Sequence, residues 1–227
     1  MRSDVYLFLS RSLLFPQEPL DGLKQEAVAS LQGLGREGLA QALADLPLPH
    51  LEELKREYLR VFGHGTSQDF PQYETESEKS HISRQSQALA EIAGSYRFSG
   101  LEVAQGEKLD HIGVELEFLY FLTHKEAYAL GGDAEEKAEM CQGAQREFFR
   151  AHLGRWGPSF FRHLMKTEGF YGGLSKLAEG FLSWEGQLLG IDTEELSEDA
   201  SRPENTEIFA GESSLCGEGC EAYEDCL

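Results

Sequence analysis

The chain has 227 residues, 41% hydrophobic and 26% charged, enough for one sizeable domain with a buried core, which excludes disorder throughout. Lys and Arg number 20 against 40 Asp and Glu, a net charge of −20; a field of that sign repels nucleic-acid phosphates and anionic lipid and argues against both as partners. With 32 leucines against five valines and five isoleucines, and no strand alternation, the expected class is all-α, a single compact helical bundle.

The first apolar run, Tyr6 to Phe15, is interrupted by Ser10, Arg11 and Ser12 and is followed by no small-residue cleavage site. It reads as a helix over 4–15, neither a signal peptide nor a membrane span, and the default location is cytoplasmic. Helix continues over roughly 21–45. Pro47 and Pro49 then introduce Leu51, Leu54, Tyr58, Val61 and Phe62 at helical spacing, and this helix ends at Gly63. A loop containing Gly65, Ser67 and Pro71 runs to about Glu74. Thr75 and Glu78 form a capping-box pattern for a helix carrying Ile82, Leu89, Ile92 and Tyr96 toward Gly100.

Further on, Asp133 is placed to cap a segment running through Cys141, Phe148 and Leu153. Pro158 stands near the start of another helix, with Phe160, Phe161, Leu164 and Met165. Gly172 and Gly173 precede a last one carrying Leu174, Leu177, Phe181, Leu182 and Leu188. No internal repeat is present, so a bundle is expected and not a solenoid. From Asp192 to Leu227 there are 12 acidic residues and one base, Arg202, so the tail holds −11 of the net charge with little apolar content. The expected organisation is a helical domain over 1–191 and a flexible acidic tail over 192–227.

Between Leu109 and Leu122 one segment differs. Ile112, Val114, Leu116, Phe118, Leu119, Tyr120, Phe121 and Leu122 make it apolar on nearly every side, as a central helix is. It also carries Asp110, His111, Glu115 and Glu117. His111 and Glu115, four apart, share one face. A carboxylate in such a helix must be paired, hydrogen-bonded or near the surface, so something compensates Glu115. A structural account makes Asp110 the N-cap, Leu109 and Val114 the hydrophobic staple, and His111 and Glu115 partners of each other.

Two chemical readings compete with it. His111 as a general base oriented by Asp110 or Glu115 would suit an enzyme, but the chain offers no nucleophile motif, no G-x-x-x-x-G-K-S/T phosphate loop and no G-x-G-x-x-G turn. His111 and Glu115 with His152 or His163 would make metal ligands. Cys216-x3-Cys220-x5-Cys226, with Cys141 as a fourth thiol, is the stronger metal or redox candidate, that of an accessory subunit responding through its C-terminal cysteines. Its spacing matches neither paired C-x2-C nor a ferredoxin run. Neither catalysis nor a resident cofactor is expected.

Asp110-His111-Ile112-Gly113-Val114-Glu115-Leu116-Glu117-Phe118-Leu119 resembles the signature of the TorD/DmsD/NarJ family of molybdoenzyme chaperones, in which E-P-D-H opens a helix continuing with E-L and an apolar run. Glu57-Tyr58-Leu59-Arg60-Val61-Phe62 is similar to the family's E-Y-x-x-L-F segment, Pro71-Gln72-Tyr73-Glu74 to its P-x-Y-E/S loop, and Phe148 through Phe160, with His152, Leu153 and Trp156, to its F-x-x-x-H-L-x-x-W-x-x-x-F helix pair. These matches fall in order over about 50–190. Lys108 and Leu109 stand where the family has Glu and Pro, with Glu107 one residue away, and the cysteine-bearing tail is no part of the pattern.

The resemblance implies a cytoplasmic, non-catalytic chaperone, monomer or dimer, that binds the apo catalytic subunit of a molybdenum oxidoreductase of the dimethyl sulfoxide reductase class before its molybdopterin cofactor enters, and the subunit's twin-arginine leader where it has one. A leader presents two arginines beside an apolar stretch and requires carboxylates next to a hydrophobic groove. Asp110, His111, Glu115 and Glu117 beside Phe118 are the expected contacts, followed by Tyr73 and Glu74 on their loop. The negative charge of the chain would steer a basic leader toward it.

Overall fold

A computed structural model describes residues 1–63, 67, 69–77, 82–102 and 108–196. Every regular element among them is an α-helix: α1 Arg2–Leu13, α2 Asp21–Gly33, α3 Glu37–Asp45, α4 Leu51–Phe62, α5 Glu74–Ser77, α6 Ile82–Phe98, α7 Ile112–Gly131, α8 Glu135–Ala151, α9 Leu153–Leu164 and α10 Phe170–Leu189. The fold is the all-α bundle that the leucine-rich composition predicts. No helix among the described residues is long and apolar enough to cross a membrane.

Helix α7 is the axis. Its Ile112, Leu116, Phe118, Leu119 and Leu122 are buried, and α1, α8 and α9 pack around it. The matching surface of α1 carries Val5, Tyr6, Phe8, Leu9 and Leu13 interleaved with Ser3, Ser10 and Ser12, all buried; small serines let the two helix backbones approach closely. Helix α2 covers the other side of α1, α3 bridges α2 to α10, and α10 packs on α9. Helix α4 joins through rings, Phe62 and Tyr58 meeting Tyr171 at 4.9 and 6.2 Å between centroids.

One end of the bundle is fastened by a buried ionic cluster. Arg2 donates to Glu185 at 2.9 Å, to Gln145 at 2.9 Å and to Glu126, while the Tyr6 hydroxyl donates to Glu185 at 3.0 Å. Burial raises the Glu185 carboxyl above its ordinary range, and Arg2 and Tyr6 offset part of that rise. These contacts tie α1, α7, α8 and α10 at one point. Removing one member of such a set leaves the others buried without a partner.

Several helix boundaries differ from the sequence expectations. The helix expected over 21–45 is two, because the chain turns at Gly35 with a φ of +67°, a conformation that glycine adopts without steric cost. Asp133 does not cap α8: Ala134 is the N-cap and Asp133 takes the turn itself with a φ of +53°. Pro158 lies inside α9, which begins at Leu153. Gly172 and Gly173 lie inside α10, which starts earlier because Glu57 accepts a 2.7 Å bond from the Phe170 amide.

Residues 197–227 of the acidic tail, with Cys216, Cys220 and Cys226, lie outside the described residues, as does Glu78 of the expected capping box; Cys141 is half-buried on α8. Past Gly190 the chain forms one more helical turn over 193–196, where Asp192 Oδ1 accepts from the Glu194 amide at 2.9 Å.

The glycines in these helices have opposite value. A methyl group at Gly172 would meet the Thr167 carbonyl oxygen at 2.1 Å, whereas one at Gly143, exposed in the middle of α8, would meet nothing within 4 Å. Gly143→Ala is therefore expected to raise stability by about 0.5–1 kcal/mol through helix propensity, and Gly172→Ala to lower it by about 1–3 kcal/mol, both read by urea denaturation.

Candidate functional site

Two of the four sequence segments that carry the family-like motifs, 71–74 and the start of 110–119, lie side by side. Residues 71–74 run antiparallel to 109–112, joined as an isolated bridge between Tyr73 and His111. The Glu74 amide donates to the Asp110 carbonyl at 2.9 Å and the Ile112 amide to the Gln72 carbonyl at 2.8 Å. In extended backbone alternate side chains face opposite ways. Gln72 and Glu74 are buried and Tyr73, between them, faces outward and is half-buried. Gln72 fixes the strap to α1 and α4 by donating to the Leu13 carbonyl at 3.1 Å and accepting from the Tyr58 hydroxyl at 3.2 Å.

On the outer side, the Tyr73 ring meets His111 edge to face at 5.1 Å, and the Lys108 ammonium lies 4.0 Å from the Tyr73 ring centroid. Phe15, 41% exposed, packs on the same Tyr58 that holds Gln72, with centroids 5.5 Å apart. Glu117 reaches the surface and pairs with Arg11 at 2.7 Å.

On the inner side, four residues form a buried polar cluster. Glu115 has no exposed surface, and the Trp156 indole N–H lies 3.1 and 3.3 Å from its two oxygens. Its carboxyl also hydrogen-bonds Glu74, and Nδ1 of His152 lies 3.0 Å from Glu74 Oε2. Burial, then the neighbouring Glu74 and Asp110, push Glu115 well above the usual carboxylate range, and a hydrogen bond between two carboxyl groups requires a proton on one of them. The Tyr96 hydroxyl closes the pocket by donating to the Leu109 carbonyl at 3.1 Å, and Phe118 is buried between Tyr96 and Phe148, at 4.4 and 4.6 Å.

These contacts revise several sequence expectations. Asp110 does not cap α7: its Oδ2 accepts from the Thr75 hydroxyl at 2.6 Å and the Thr75 amide at 3.3 Å, tying the two loops together. The N-cap is His111, whose Nδ1 accepts from the Gly113 amide at 3.0 Å. His111 and Glu115 therefore bond other groups and not each other, and the dyad of an enzyme reading is not assembled. His152 is held by Glu74 and His163 rests against Phe70 at 5.2 Å, so neither joins His111 and Glu115 as a ligand.

Of the seven residues expected to touch a client, Tyr73 and Glu117 are partly exposed, and Glu74, Asp110, His111, Glu115 and Phe118 are buried. Sequence reasoning did not single out Phe15, Lys108 or Thr75 as contacts, and it placed Trp156 and His152, four apart in the F-x-x-x-H-L-x-x-W pattern, without assigning them as partners of Glu115 and Glu74. Two surface hollows of about 400 and 410 Å³ are elsewhere, between α2 and α3 and between α3 and α10.

Burial drives His111 down to about 4, an effect that Asp110 opposes and Lys108 reinforces. The folded protein thus rejects a proton that the unfolded chain takes up below pH 6.5, and this residue withdraws up to about 3 kcal/mol of stability as pH falls from 6.5 to 4. Asn at this position keeps an acceptor for the Gly113 amide and does not titrate. His111→Asn is expected to match the wild type within about 1 kcal/mol at pH 7.5 and to gain on it steadily toward pH 4.5 in urea titrations. A constant gap across that range would show that His111 protonates freely in the folded state.

Comparison with known proteins places this geometry. Residues 28–162 match the family model described as the nitrate reductase delta subunit. The chain is 36% identical over 124 residues to a chlorate reductase assembly chaperone protein of Ideonella dechloratans, covering 53% of this chain and 62% of that one. It is 43% identical over 72 residues to a perchlorate reductase assembly chaperone protein of Dechloromonas aromatica strain RCB, covering 31% of each. The aligned part is thus less than two thirds of either relative. The fold matches a crystal structure of a protein described as a redox enzyme maturation protein, from Archaeoglobus fulgidus, with a TM-score of 0.51 and 23% identity over 81% of this chain and 94% of that one. The family match takes in both loops of the patch, α7 and all but the last two residues of α9, more than half of the chain, and the protein belongs to the nitrate reductase delta subunit family, of the TorD/NarJ type.

Proposed function

We propose that this protein is a cytoplasmic assembly chaperone that binds the apo catalytic subunit of a dimethyl sulfoxide reductase-class molybdenum oxidoreductase, together with its twin-arginine leader where it has one, and keeps it open until the molybdopterin cofactor enters. The observation that carries this reading is that two of the motif segments lie side by side, with half-buried Tyr73 facing outward between buried Gln72 and Glu74 and with Lys108 over its ring. The buried acids Glu74 and Glu115 are turned inward, onto each other and onto Trp156 and His152. Such a surface suits recognition of a polypeptide: a tyrosine ring and an exposed phenylalanine supply apolar contact, and Glu117 exchanges Arg11 for an arginine of the client.

In this reading Glu74, Asp110, His111, Glu115 and Phe118 are positioning residues that hold the strap and the start of α7, while Tyr73 and Glu117 touch the client. The helical domain of residues 1–191 does the binding, and the acidic extension of 192–227 adds long-range attraction for a basic leader. The relatives named above are assembly chaperones of chlorate and perchlorate reductase, so the catalytic subunit of an oxyanion reductase of that kind is the first client to test.

The protein should copurify with the cofactor-free catalytic subunit and be missing from the finished enzyme; recovery from the finished enzyme would make it a permanent subunit. Tyr73→Ala combined with Glu117→Lys is expected to weaken client binding at least tenfold in titration calorimetry, about 1.4 kcal/mol, with an unchanged helical circular dichroism spectrum. Wild-type affinity in that variant would remove the patch as the docking site.

A further inference from the structure

Two carboxylic side chains, Glu74 and Glu115, hydrogen-bond each other at 4% and 0% exposure. Such a contact requires a proton, since two carboxylate anions supply no donor and repel strongly where water is excluded. Their remaining described partners are the Trp156 indole N–H and Nδ1 of His152. The ionic cluster around Arg2 is different in kind, for there a guanidinium compensates the acids.

The two acids are held with very different strength. Glu115 stands on the 20-residue α7, clamped among α1, α8 and α9. Glu74 opens the four-residue α5 and follows an extended strap. If the pair loses its proton, the strap is the part that gives way.

We propose that the Glu74–Glu115 pair is a one-proton latch that holds the 71–77 strap against α7 and α9, and that its deprotonation frees the strap and takes the Tyr73–His111 bridge apart. The titratable groups that face the pair are Asp110 from the adjoining turn, Tyr96 from α6 and His152 from the α8–α9 junction. The upward displacement of Glu115 sets the direction: the latch is shut on the acidic side and opens as pH rises. With the patch as the docking surface, a reading on which only this consequence rests, opening the latch disables the client site.

The latch is tested on the protein alone, by hydrogen exchange of the Glu74 and Ile112 amides between pH 6 and 10, corrected for the intrinsic rate, and by Trp156 fluorescence in a Trp184→Phe background. Wild type is expected to lose protection at these amides at least tenfold on the alkaline side, before global unfolding. Glu115→Gln keeps an acceptor for Trp156 and a donor for Glu74 without a titrating proton, and its protection is expected to stay flat over the same range. Glu74→Gln carries the same expectation should Glu115→Gln fold poorly. A flat wild-type profile, or the same alkaline loss in the Gln variants, would overturn the latch. Client affinity that falls with pH in wild type and not in Glu115→Gln ties it to docking; a working latch with no effect on affinity leaves the latch standing and rejects the docking patch.

Discussion

A carboxyl group with no exposed surface on the central helix is the constraint around which this end of the molecule is arranged. Glu115 cannot remain ionised and unpartnered among Leu116, Phe118 and Leu119, because desolvating such a charge costs far more than any single packing contact returns. It takes an indole N–H from α9 and shares a hydrogen bond, with the proton that bond requires, with a second acid. That second acid comes from a segment some forty residues earlier in the chain, so satisfying Glu115 draws the 71–77 strap across the start of α7 and into contact with 108–112. Extended backbone alternates its side chains, and with Gln72 and Glu74 facing inward Tyr73 must face outward. The outward patch is thus a consequence of how the interior is satisfied.

The long central helix meets the same difficulty twice and answers it differently. Glu115 lies in its first turn and Glu126 eleven residues on, about 16 Å along the axis. Around Glu126 the compensation is Arg2, brought by the first turn of α1 and shared with Glu185. A guanidinium keeps its charge at any ordinary pH and its planar fork serves two carboxylates at once, so the compensating charge at that end does not depend on pH. Around Glu115 the compensation is a proton, which solution pH can remove. The ends of one helix are therefore unequal, one fixed and one titratable, and the titratable end is the one beneath Tyr73 and His111.

Much of the bundle was legible in the sequence because helix-forming composition and 3.6-residue spacing are local properties. The apolar sides of Leu109–Leu122 announced a central helix, and an acid in that setting announced that Glu115 had a partner. Which partner was not legible: periodicity fixes the face a residue occupies but not the element that covers the face. Asp110 looked like the cap of α7 because Asp is a favoured N-cap residue, yet His111, one position later, fills that role through Nδ1 once Thr75 has claimed the Asp110 carboxylate. Pro158 and the Gly172–Gly173 pair read as punctuation, whereas Pro158 lies inside α9 and a methyl group at Gly172 has no room beside the Thr167 carbonyl. Trp156 and His152 were visible as a spaced pair, but a core aromatic and a hydrogen-bonding one look alike in sequence.

Displaced titration of buried groups commonly marks an active site, and Glu115 and His111 are displaced in opposite directions, as an acid and base pair would be. Their contacts give the displacement another meaning. A general acid or base must touch a reacting atom, so its free position faces a cleft; here the Glu115 oxygens are taken by Trp156 and Glu74, and Nδ1 of His111 by the backbone amide of Gly113. The displacement is the electrostatic cost of holding two loops together across a bundle, and at the outer face Tyr73 and Lys108, from different segments of the chain, are kept in register. A scaffold that uses its ionisable groups in this way has rigidity and surface shape to offer another polypeptide, which is what an assembly partner requires.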